Sequence, residues 1–575
     1  MKTIKPVNFI FGILFSLSIV LGFQCEFYGE LLPSEPKVYV FIVILFVVAT
    51  AFSKLFWDMI KDRGCRENIE SETEDPKIAV KETVTEGPDM VVNEIPPRKR
   101  IGLYSAITVW ILHFIVFLGV YPGFFVYDAF EELTETITRS FTDQHPIFHV
   151  LSMGAVIQGM HKVTGDYNIS IAVFILFQMS INAVILGLVV RELYEEGLGR
   201  IGAIVFSIYF GSFPVLLMCD LCSAKDCLFT GALVLFTVYL RRLFKDPEMS
   251  SVKGFVKTGL CALFVMLLRS NGIYAIAVFL ICIVIFFIVK AGTADDKAKR
   301  AGKRFLLTMV VSIVIYFAAN TAMLYLTHAE RVGHREILTV PIMQLSRVYA
   351  YDNESMSGAD KGKLESYIPK ENLLAYTPKC SDLVKIGFDE QAFAADKSGF
   401  LRLWARTGIS HPIAYLNAFL MTGYGMWYPN ATIDGYEGRQ VFTFTYGKSS
   451  YFGYETEPPG CRDSKIPVID RFFRFLSIEG GTRAVPVLHL LFSPGFMLWV
   501  YLFVLGYFIY AKEWGRFFSY LTALIVIATC FIGPMSLVRY AFNLWILVPV
   551  SFADMMMTKH KITYGPDDRT VKESE

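Results

Sequence analysis

The feature that most constrains this chain is a series of apolar runs, each about as long as a bilayer is thick. A membrane-spanning helix needs about 20 mostly apolar residues. The 575-residue sequence contains twelve such runs, at 8–24, 37–57, 101–120, 168–190, 200–218, 227–243, 254–269, 272–289, 305–327, 488–510, 516–533 and 538–556. Only 19% of the residues are charged, against about a quarter in soluble domains. We therefore expect an all-α polytopic membrane protein with about twelve transmembrane helices.

Basic residues indicate how the runs cross the membrane, because Lys and Arg collect in short cytoplasmic loops. They cluster between runs two and three, between runs six and seven, before run nine and after the last run. These clusters fall on one side if both termini are cytoplasmic. The first run follows Lys2 and Lys5 as a signal peptide would, but it lacks a small-residue cleavage site. We expect it to be an uncleaved span.

Composition divides the chain into six parts. Residues 61–100 are acidic with few aromatics, which is typical of a disordered linker. The expected parts are two N-terminal transmembrane helices at 1–60, this cytoplasmic linker at 61–100, a membrane core with the first outer loop at 101–327, an extracytoplasmic segment at 328–487, three C-terminal transmembrane helices at 488–556 and a cytoplasmic tail at 557–575. The net charge of +1 gives no electrostatic reason to expect nucleic acid as a partner.

The extracytoplasmic segment has mixed patterns. Residues 399–429 have helical spacing and suit a helix lying along the membrane surface, with Trp404 and Trp427 at the headgroups. Residues 439–458 alternate and predict a hairpin. Its aromatic residues, which either shape a binding surface or form an interfacial belt, are Phe442, Phe444, Tyr446 and Tyr451.

Two pairs of cysteines bear on structure. Cys380 and Cys461 both lie in the extracytoplasmic segment, and the sequence leaves open whether they form a disulfide. Cys219 and Cys222 form a CxxC, but no second pair or His stands at metal spacing. We expect these two to be small apolar filler rather than zinc ligands.

Several polar residues fall beside predicted spans at one depth, the outer membrane boundary, where charge is costly and its default interpretation is functional. They are Asp128, Glu131, Glu132, His145, His149, Lys225, Asp226, Arg269, Asn271, Arg539 and Tyr540, with Arg402 and Arg406 on the predicted surface helix. Simpler interpretations exist: Asp128 caps a helix, Glu131 and Glu132 are first-turn acids, and the arginines snorkel. Lys225 and Asp226 would then be a solvated pair. The gathering of acids and cations on one face favours a site.

This combination suits a phosphorylated, lipid-linked substrate that enters from the bilayer. Arg269 and Arg539 would clamp a leaving phosphate and stabilise the charge that develops on it. Asp128 would remove a proton from an attacking hydroxyl, or hold a divalent metal with a second acid. Glycosyl transfer makes these demands. A transporter instead places charge near the midplane, where the predicted spans carry almost none.

The core at residues 101–556 resembles the C-type (GT-C) membrane glycosyltransferases, polytopic enzymes that use polyprenyl-phosphate sugars. It is most similar to a bacterial group of unassigned multi-pass proteins with "YPG…D" and then "HP" in the first large outer loop. The matching residues are Tyr121-Pro122-Gly123, Asp128, His145-Pro146, "AKD" at Ala224–Asp226, "LRSNG" at Leu268–Gly272 and "RY" at Arg539-Tyr540. The resemblance implies a GT-C-like helical fold in a bacterial plasma membrane.

The resemblance also implies residue roles. An acid in the first outer loop of the superfamily is catalytic or binds metal, and by position that role falls on Asp128. Basic residues near the outer face hold the donor phosphate, a role carried over to Arg269 and Arg539. The expected pocket-lining residues are His145, Lys225, Asp226 and Tyr540.

A metal cofactor is left open. The superfamily often presents two adjacent acids in this loop, whereas here Glu131 and Glu132 are spaced from Asp128. A Mg or Mn ion held by these three acids is the one cofactor that the sequence suggests.

The sequence thus predicts an integral membrane glycosyltransferase, inverting by analogy with the superfamily. The donor would be an undecaprenyl-phosphate sugar, and the acceptor an envelope glycopolymer, lipid or protein, with membrane lipids around the chain. A transporter or flippase of lipid-linked glycans is the main alternative. A non-enzymatic envelope scaffold is a third, but it leaves the boundary charges unexplained.

Overall fold

The protein is described here by a computed structural model that covers residues 3–73, 97–245, 251–290, 296–432, 456–477, 481 and 487–558. The first twelve helices are α1 (Pro6–Tyr28), α2 (Pro36–Thr73), α3 (Pro97–Gly119), α4 (Ala129–Thr138), α5 (Ile147–Thr164), α6 (Tyr167–Glu195), α7 (Gly199–Ser212), α8 (Pro214–Asp220), α9 (Asp226–Lys245), α10 (Val252–Leu268), α11 (Gly272–Lys290) and α12 (Asp296–Leu326). The next seven are α13 (Thr339–Tyr351), α14 (Gly358–Glu365), α15 (Lys370–Leu374), α16 (Asp382–Lys385), α17 (Glu390–Ala395), α18 (Lys397–Ser410) and α19 (Pro412–Gly423). The last four are α20 (Pro467–Ser477), α21 (Pro494–Ala511), α22 (Trp514–Cys530) and α23 (Phe542–Met556). The described residues contain isolated β-bridges but no extended strand.

Eight helices are long and apolar enough to cross a membrane, and they lie on α1, α2, α3, α6, α9, α11, α12 and α21. Helices α7 and α8 make a ninth if they are one span bent by 60°. The chain is therefore an all-α, multi-pass membrane protein. The other three predicted spans lie on α10, α22 and α23, which have 17, 17 and 15 residues. Eight or nine spans meet the length criterion in the described ranges, against the twelve expected from the sequence.

The short helices end where charged residues gather. Helix α10 stops at Leu268, immediately before Arg269. Helix α23 begins after a 3₁₀ turn, Val538–Ala541, that carries Arg539. Helix α9 begins at Asp226 itself. Three helix ends thus deliver three charged side chains to one region.

Helix α9 lies at the centre of the bundle, packed against α6, α10, α22 and α23. Its side chains are buried over most of its circumference, including Phe229, Leu233, Phe236 and Leu240. A helix that is apolar on all sides belongs in the interior rather than on one face of a bundle. The two ends of this core helix carry its charges.

The segment from α13 to α19 has a hydrophobic core of its own, built around Ile342, Leu345, Tyr367 and Phe400. The predicted surface helix at 399–429 is instead two helices, α18 and α19, separated at His411. Trp404 packs partly on this core, and its Nε1 donates to Gln344 at 2.8 Å. Its position at the headgroups stays a prediction.

Trp427 also packs against protein. It lies beside Cys25 of α1, and its carbonyl accepts a 2.7 Å hydrogen bond from Trp499 of α21. The predicted hairpin with Phe442, Phe444, Tyr446 and Tyr451 falls outside the described residues, apart from residues 456–458.

Two other expectations change in detail. Helix α2 continues to Thr73, thirteen residues into the predicted linker 61–100, and residues 74–96 lie outside the described ranges. Cys380 and Cys461 are both free thiols. Cys380 is buried against Met535, whereas Cys461 is exposed.

Candidate active site

The loop after α3 is fixed against the loop after α8 by backbone pairing. Phe124 and Cys222 form a parallel bridge. The Phe124 N–H donates to the Leu221 carbonyl at 2.7 Å, and its carbonyl accepts from Ser223 at 2.9 Å. Gly123 has φ +115°, and a Cβ there would lie 3.0 Å from the Leu221 oxygen. Only glycine fits this approach without strain, so the glycine of "YPG" lets the two loops meet.

This pairing places Asp128 beside Lys225. Tyr127, the preceding residue, has φ +60°, a conformation uncommon outside glycine and frequent at functional sites. Asp128 is the N-cap residue of α4, but its side chain makes no capping hydrogen bond. The carboxylate turns away from the helix that it was free to cap.

Asp128 binds two cations. It accepts a hydrogen bond from Lys225 Nζ. Arg539 approaches with both terminal nitrogens, at 3.2 Å to Oδ2 and 3.4 Å to Oδ1. Burial raises the pKa of Asp128, but the charges of Arg539, Lys225 and His145 outweigh that effect and hold the pKa well below its ordinary value. Asp128 is therefore an ionised carboxylate with reduced basicity while these cations remain bound to it.

Arg539 also reaches a second carboxylate. Its NH1 lies 3.2 Å from Asp226 Oδ2, and Arg269 NH1 lies 2.5 Å from Asp226 Oδ1. Asp226 is 1% exposed. The four residues form a chain of alternating charge, Asp128–Arg539–Asp226–Arg269, and a buried charge is tolerable only when it is paired in this way.

Aromatic rings stack on the two guanidinium groups. The Tyr540 ring lies between them, 4.6 Å from Arg269 and 5.0 Å from Arg539. Tyr127 lies on Arg539 at 4.2 Å. Stacking holds the planar groups without using their N–H donors. The Nε of Arg539 is buried and has no hydrogen-bond partner among the described residues. Arg539 therefore has one N–H donor that no described residue uses.

Glu132 forms the buried side of the cluster. One oxygen lies 2.5 Å from Nδ1 of His149, and the other is 3.4 Å from Lys225 Nζ. Burial raises the pKa of Glu132, but His149 and Lys225 outweigh it and lower the pKa to about 2. Glu132 is 1% exposed and is therefore not the simple first-turn acid of α4.

His145 joins the two acidic sides. Its Nδ1 lies 3.2 Å from Lys225 Nζ, and its Nε2 lies 3.3 Å from Glu131. Burial and the charge of Lys225 lower the pKa of His145, but the carboxylates of Glu131, Asp128 and Glu132 outweigh them and raise the pKa above its ordinary value. Glu131 is 57% exposed and contributes to the cluster through His145.

The three predicted metal-binding acids do not converge. The donors that lie within 4.8 Å of one another are on Asp128, Glu132 and His145, with Glu131 outside the set. Lys225 Nζ contacts all three of these residues. A positively charged ammonium already lies among the donors and repels a second cation there. The arrangement therefore does not fit a divalent metal, and we derive no step through one.

All seven predicted catalytic and substrate-binding residues lie together: Asp128, His145, Lys225, Asp226, Arg269, Arg539 and Tyr540. The simple interpretation of Lys225 and Asp226 as a solvated pair is wrong, because each binds a different partner inside the cluster. Arg402 and Arg406 lie elsewhere, on exposed α18, where they bind Ser398 and Asp360.

Two contributions were not assigned from the sequence. Tyr127 carries no motif, and its stacking on Arg539 depends on a positive φ. His149 was noticed beside the HP pair, but its partner Glu132 could be found only by placing α4 against α5. The i+4 spacing of His145 and His149 across the start of α5 was the available signal.

The α13–α19 segment touches this region. Cys380 forms an antiparallel bridge with Met535, and the Ser381 N–H donates to the Pro534 carbonyl at 3.0 Å. Arg539 follows these residues within a few positions. The segment therefore docks on the loop that carries a principal cation of the site.

The comparison with protein families gives one match. The model of a family of unknown function, DUF6020, matches residues 133–567. That range contains His145, Lys225, Asp226, Arg269 and Arg539 and begins five residues after Asp128. No curated protein and no solved structure matches the chain.

Proposed function

The chain belongs to the DUF6020 family, and we propose that this member is an integral membrane glycosyltransferase. It would transfer a sugar from a polyprenyl-phosphate donor to a cell-envelope acceptor on the outer face of a bacterial plasma membrane. One observation carries the proposal. Asp128 lies in the same cluster as three cations, Lys225, Arg269 and Arg539, at the ends of apolar helices.

The two arginines suit the phosphate of the donor. They share Asp226 and flank one ring, Tyr540, so their positions are fixed before a ligand arrives. Arg539 keeps an unused buried Nε donor. Guanidinium groups bind phosphate oxygens through two parallel hydrogen bonds. Preorganised donors of this kind stabilise the negative charge that grows on a leaving phosphate.

Charge balance connects donor binding to Asp128. The carboxylates of Asp128, Glu132 and Asp226 are matched by Lys225, Arg269 and Arg539. An incoming phosphate competes with Asp128 for Arg539. When the phosphate takes the Arg539 N–H donors that bind Asp128 and its negative charge offsets that of the guanidinium, the effect that most depresses the pKa of Asp128 is weakened, and Asp128 becomes a stronger base. The base is thereby activated when the donor is bound.

The reaction follows from these roles. The acceptor hydroxyl oxygen attacks the anomeric carbon of the donor sugar, and its proton passes to Asp128. The bond between the anomeric carbon and the phosphate oxygen breaks, and its electron pair stays on the polyprenyl phosphate held by Arg269 and Arg539. Lys225 remains beside Asp128 and supplies positive charge without a metal ion. The products are a glycosylated acceptor and polyprenyl phosphate.

A flippase is less well supported. Between Asp226 and Arg241, the central helix α9 carries no charged residue in "CLFTGALVLFTVYL". A route for a glycan through the bundle needs polar groups at intermediate depth. The proposal also includes twelve membrane crossings, cytoplasmic termini and a site on the outer face of the membrane.

The test uses membranes that contain the overexpressed protein, supplied with a panel of polyprenyl-phosphate hexoses and pentoses. Release of polyprenyl phosphate is followed by mass spectrometry. Asp128→Asn should abolish release, whereas the surface variant Asp352→Asn should release at the wild-type rate. Full activity of Asp128→Asn at normal expression would overturn the assignment. Movement of an unaltered donor across the bilayer, without release, would favour the flippase.

A further inference from the structure

A second buried polar cluster lies directly behind the active-site end of α9. It is formed by His113 of α3, Asn182 of α6, Cys219 and Asp220 of α8, and Cys227 of α9. Each is at most 6% exposed. Four helices meet at this point, and the proposed reaction uses none of these side chains.

The geometry suits a small soft cation. A thiol sulfur from Cys219, one from Cys227 and a carboxylate oxygen of Asp220 all lie within 4.8 Å of one another. Cys227 Sγ is 3.8 Å from Asp220 Oδ1. Ligand atoms in a tetrahedral zinc site are about 3.3–3.8 Å apart, given zinc–sulfur and zinc–oxygen distances of about 2.3 and 2.0 Å. Shifts of about 1 Å or less would bring the three donors into a zinc shell.

Unpartnered atoms provide an independent indication. Nε2 of His113 lies 2.9 Å from the Phe210 carbonyl, an acceptor, so Nε2 carries a proton. In the neutral ring Nδ1 is then also an acceptor. It faces Asp220 Oδ2 at 3.0 Å, and neither atom has a hydrogen-bond partner within the described part of the chain. Two buried acceptors at this separation need a proton or a metal ion between or beside them.

A small cavity adjoins the cluster. It has a volume of about 10 Å³ and is lined by Asn182, Cys219 and Asp220 together with mostly apolar residues, while His113 and Cys227 do not line it. That volume is about what one water-sized particle needs. The amide oxygen of Asn182 is a further buried atom without a hydrogen-bond partner among the described residues. The site is closed on all sides by α3, α6, α8 and α9, as structural zinc sites are.

We propose that Cys219, Asp220 and Cys227 bind a structural Zn²⁺ ion, with Nδ1 of His113 as the fourth donor. The thiols lose their protons on binding, and the ion joins α3, α8 and α9. Cys222 is not a ligand, because its thiol is not among the donors that lie within 4.8 Å of one another. The proposal thus departs from the expectation that Cys219 is small apolar filler, and it pairs Cys219 with Cys227 rather than with the other cysteine of the CxxC.

The ion would influence the active site by fixing the positions of two of its residues. Cys227 is adjacent in sequence to Asp226 and two residues from Lys225. It would also hold the 60° bend between α7 and α8. Zinc at this point fixes the start of α9, and with it the two residues of the active site on that turn.

The test measures metal directly. The full chain is purified in detergent without chelators, dialysed against zinc and then against buffer, and zinc is counted by inductively coupled plasma mass spectrometry. We expect about one zinc per chain in the wild type. Cys219→Ser and Cys227→Ser should retain less than about a tenth of that, because each removes a thiolate ligand. The matched control Cys222→Ser should keep the wild-type content.

Two further measurements keep the proposal falsifiable if the serine variants fold poorly. Cobalt(II) in the wild type should give a thiolate-to-metal charge-transfer band that zinc abolishes. His113→Phe should weaken zinc binding about 10- to 100-fold. A zinc-free wild type after zinc dialysis would overturn the proposal, as would full zinc content in the Cys219→Ser/Cys227→Ser double variant. So would a disulfide between Cys219 and Cys227, detected as a cross-linked peptide by mass spectrometry of the unreduced, digested protein. None of these readouts depends on sugar transfer.

Discussion

The two ends of α9 carry buried charge in two different ways. At its Asp226 end lies the site cluster, Asp128, Glu132, His145, Lys225, Asp226, Arg269 and Arg539. At its Lys245 end lies a second network around Arg241, whose Nε binds Asp554 at 3.0 Å and whose NH2 binds Glu196 at 2.7 Å. Asp554 is fully buried and also accepts from Tyr520 at 3.0 Å.

The difference lies in how completely each network is closed. Arg241 is 4% exposed and its two sides bind two carboxylates at short distances. In the site cluster Asp128 is 24% exposed and is shared between two cations. Among the described residues Nε of Arg539 has no hydrogen-bond partner, whereas Oδ1 of Asp554, which also lacks a hydrogen bond, lies 3.2 Å from Arg516 in an ion pair. A buried network whose charges are all paired stabilises the packing of the helices. A partly exposed network with an unused N–H donor can instead exchange its hydrogen-bond partners.

The largest effect expected from this comparison is on catalysis at Asp128. Asp128→Asn should lower polyprenyl-phosphate release about a hundredfold to ten-thousandfold, the usual contribution of a general base. The melting temperature should change little, because Lys225 and Arg539 keep Glu132 and Asp226 as partners. A variant that melts far below the wild type would instead place Asp128 with the structural networks.

The reverse pattern is expected at the other end of α9. Asp554→Asn should destabilise the protein by about 3–5 kcal/mol, because Arg241 and Arg516 lose a buried partner. Transfer per folded molecule should remain near the wild-type value. Lys245→Gln, which removes an exposed 3.5 Å pair with Glu196, should cost less than about 1 kcal/mol. Thermal unfolding in detergent measures the loss of stability, and the release assay measures the loss of activity. Together they distinguish changes at the two ends of α9.

The two arginines of the site should differ in sensitivity. Arg539 uses two nitrogens on two carboxylates, whereas Arg269 uses NH1 on Asp226 alone. Arg539→Lys should therefore reduce release about tenfold or more, and Arg269→Lys should reduce it less. Arg402→Gln on the exposed face of α18 is the control. Equal losses for both lysine variants would mean that the forked geometry of Arg539 is not used.

A smaller effect is expected on acid stability through Glu132. Its folded-state pKa of about 2 lies below the ordinary value of 4.5, so its stabilising contribution is present above pH 4.5. That contribution falls as the pH drops from 4.5 towards 2. Over this range the melting temperature of the wild type should decline more steeply than that of Glu132→Gln. Glu354→Gln, on the surface of the α13–α19 segment, should follow the wild type.

The smallest effect is expected from added divalent metal. Lys225 lies among Asp128, Glu132 and His145, so Mg²⁺ or Mn²⁺ should change wild-type release by less than about twofold. A tenfold stimulation would show that the ammonium yields its position to a metal. Lys225→Ala then becomes the informative variant, because it leaves three metal-binding donors without their cation.

Sequence reasoning reached the membrane class and the members of the site, because both depend on local signals. Apolar length identifies spans, and a charged residue beside a span is visible without any fold. The sequence could not show which of these side chains form hydrogen bonds and ion pairs with one another. Lys225 was expected in the pocket and Glu132 among possible metal ligands, but the ion pairs of Glu132 with His149 and Lys225 became visible only when α4, α5 and α9 were packed together. The helical core of the α13–α19 segment was also missed, since short helices joined by turns leave little periodic signal.

The contact between Ser381 and Pro534 has a mechanical consequence. Backbone hydrogen bonds and the Cys380–Met535 bridge fasten the α13–α19 segment to the chain a few residues before Arg539. Arg539, whose guanidinium group binds Asp128, lies only four positions after Met535. A displacement of the segment relative to the bundle would therefore have to be absorbed within this short stretch of backbone.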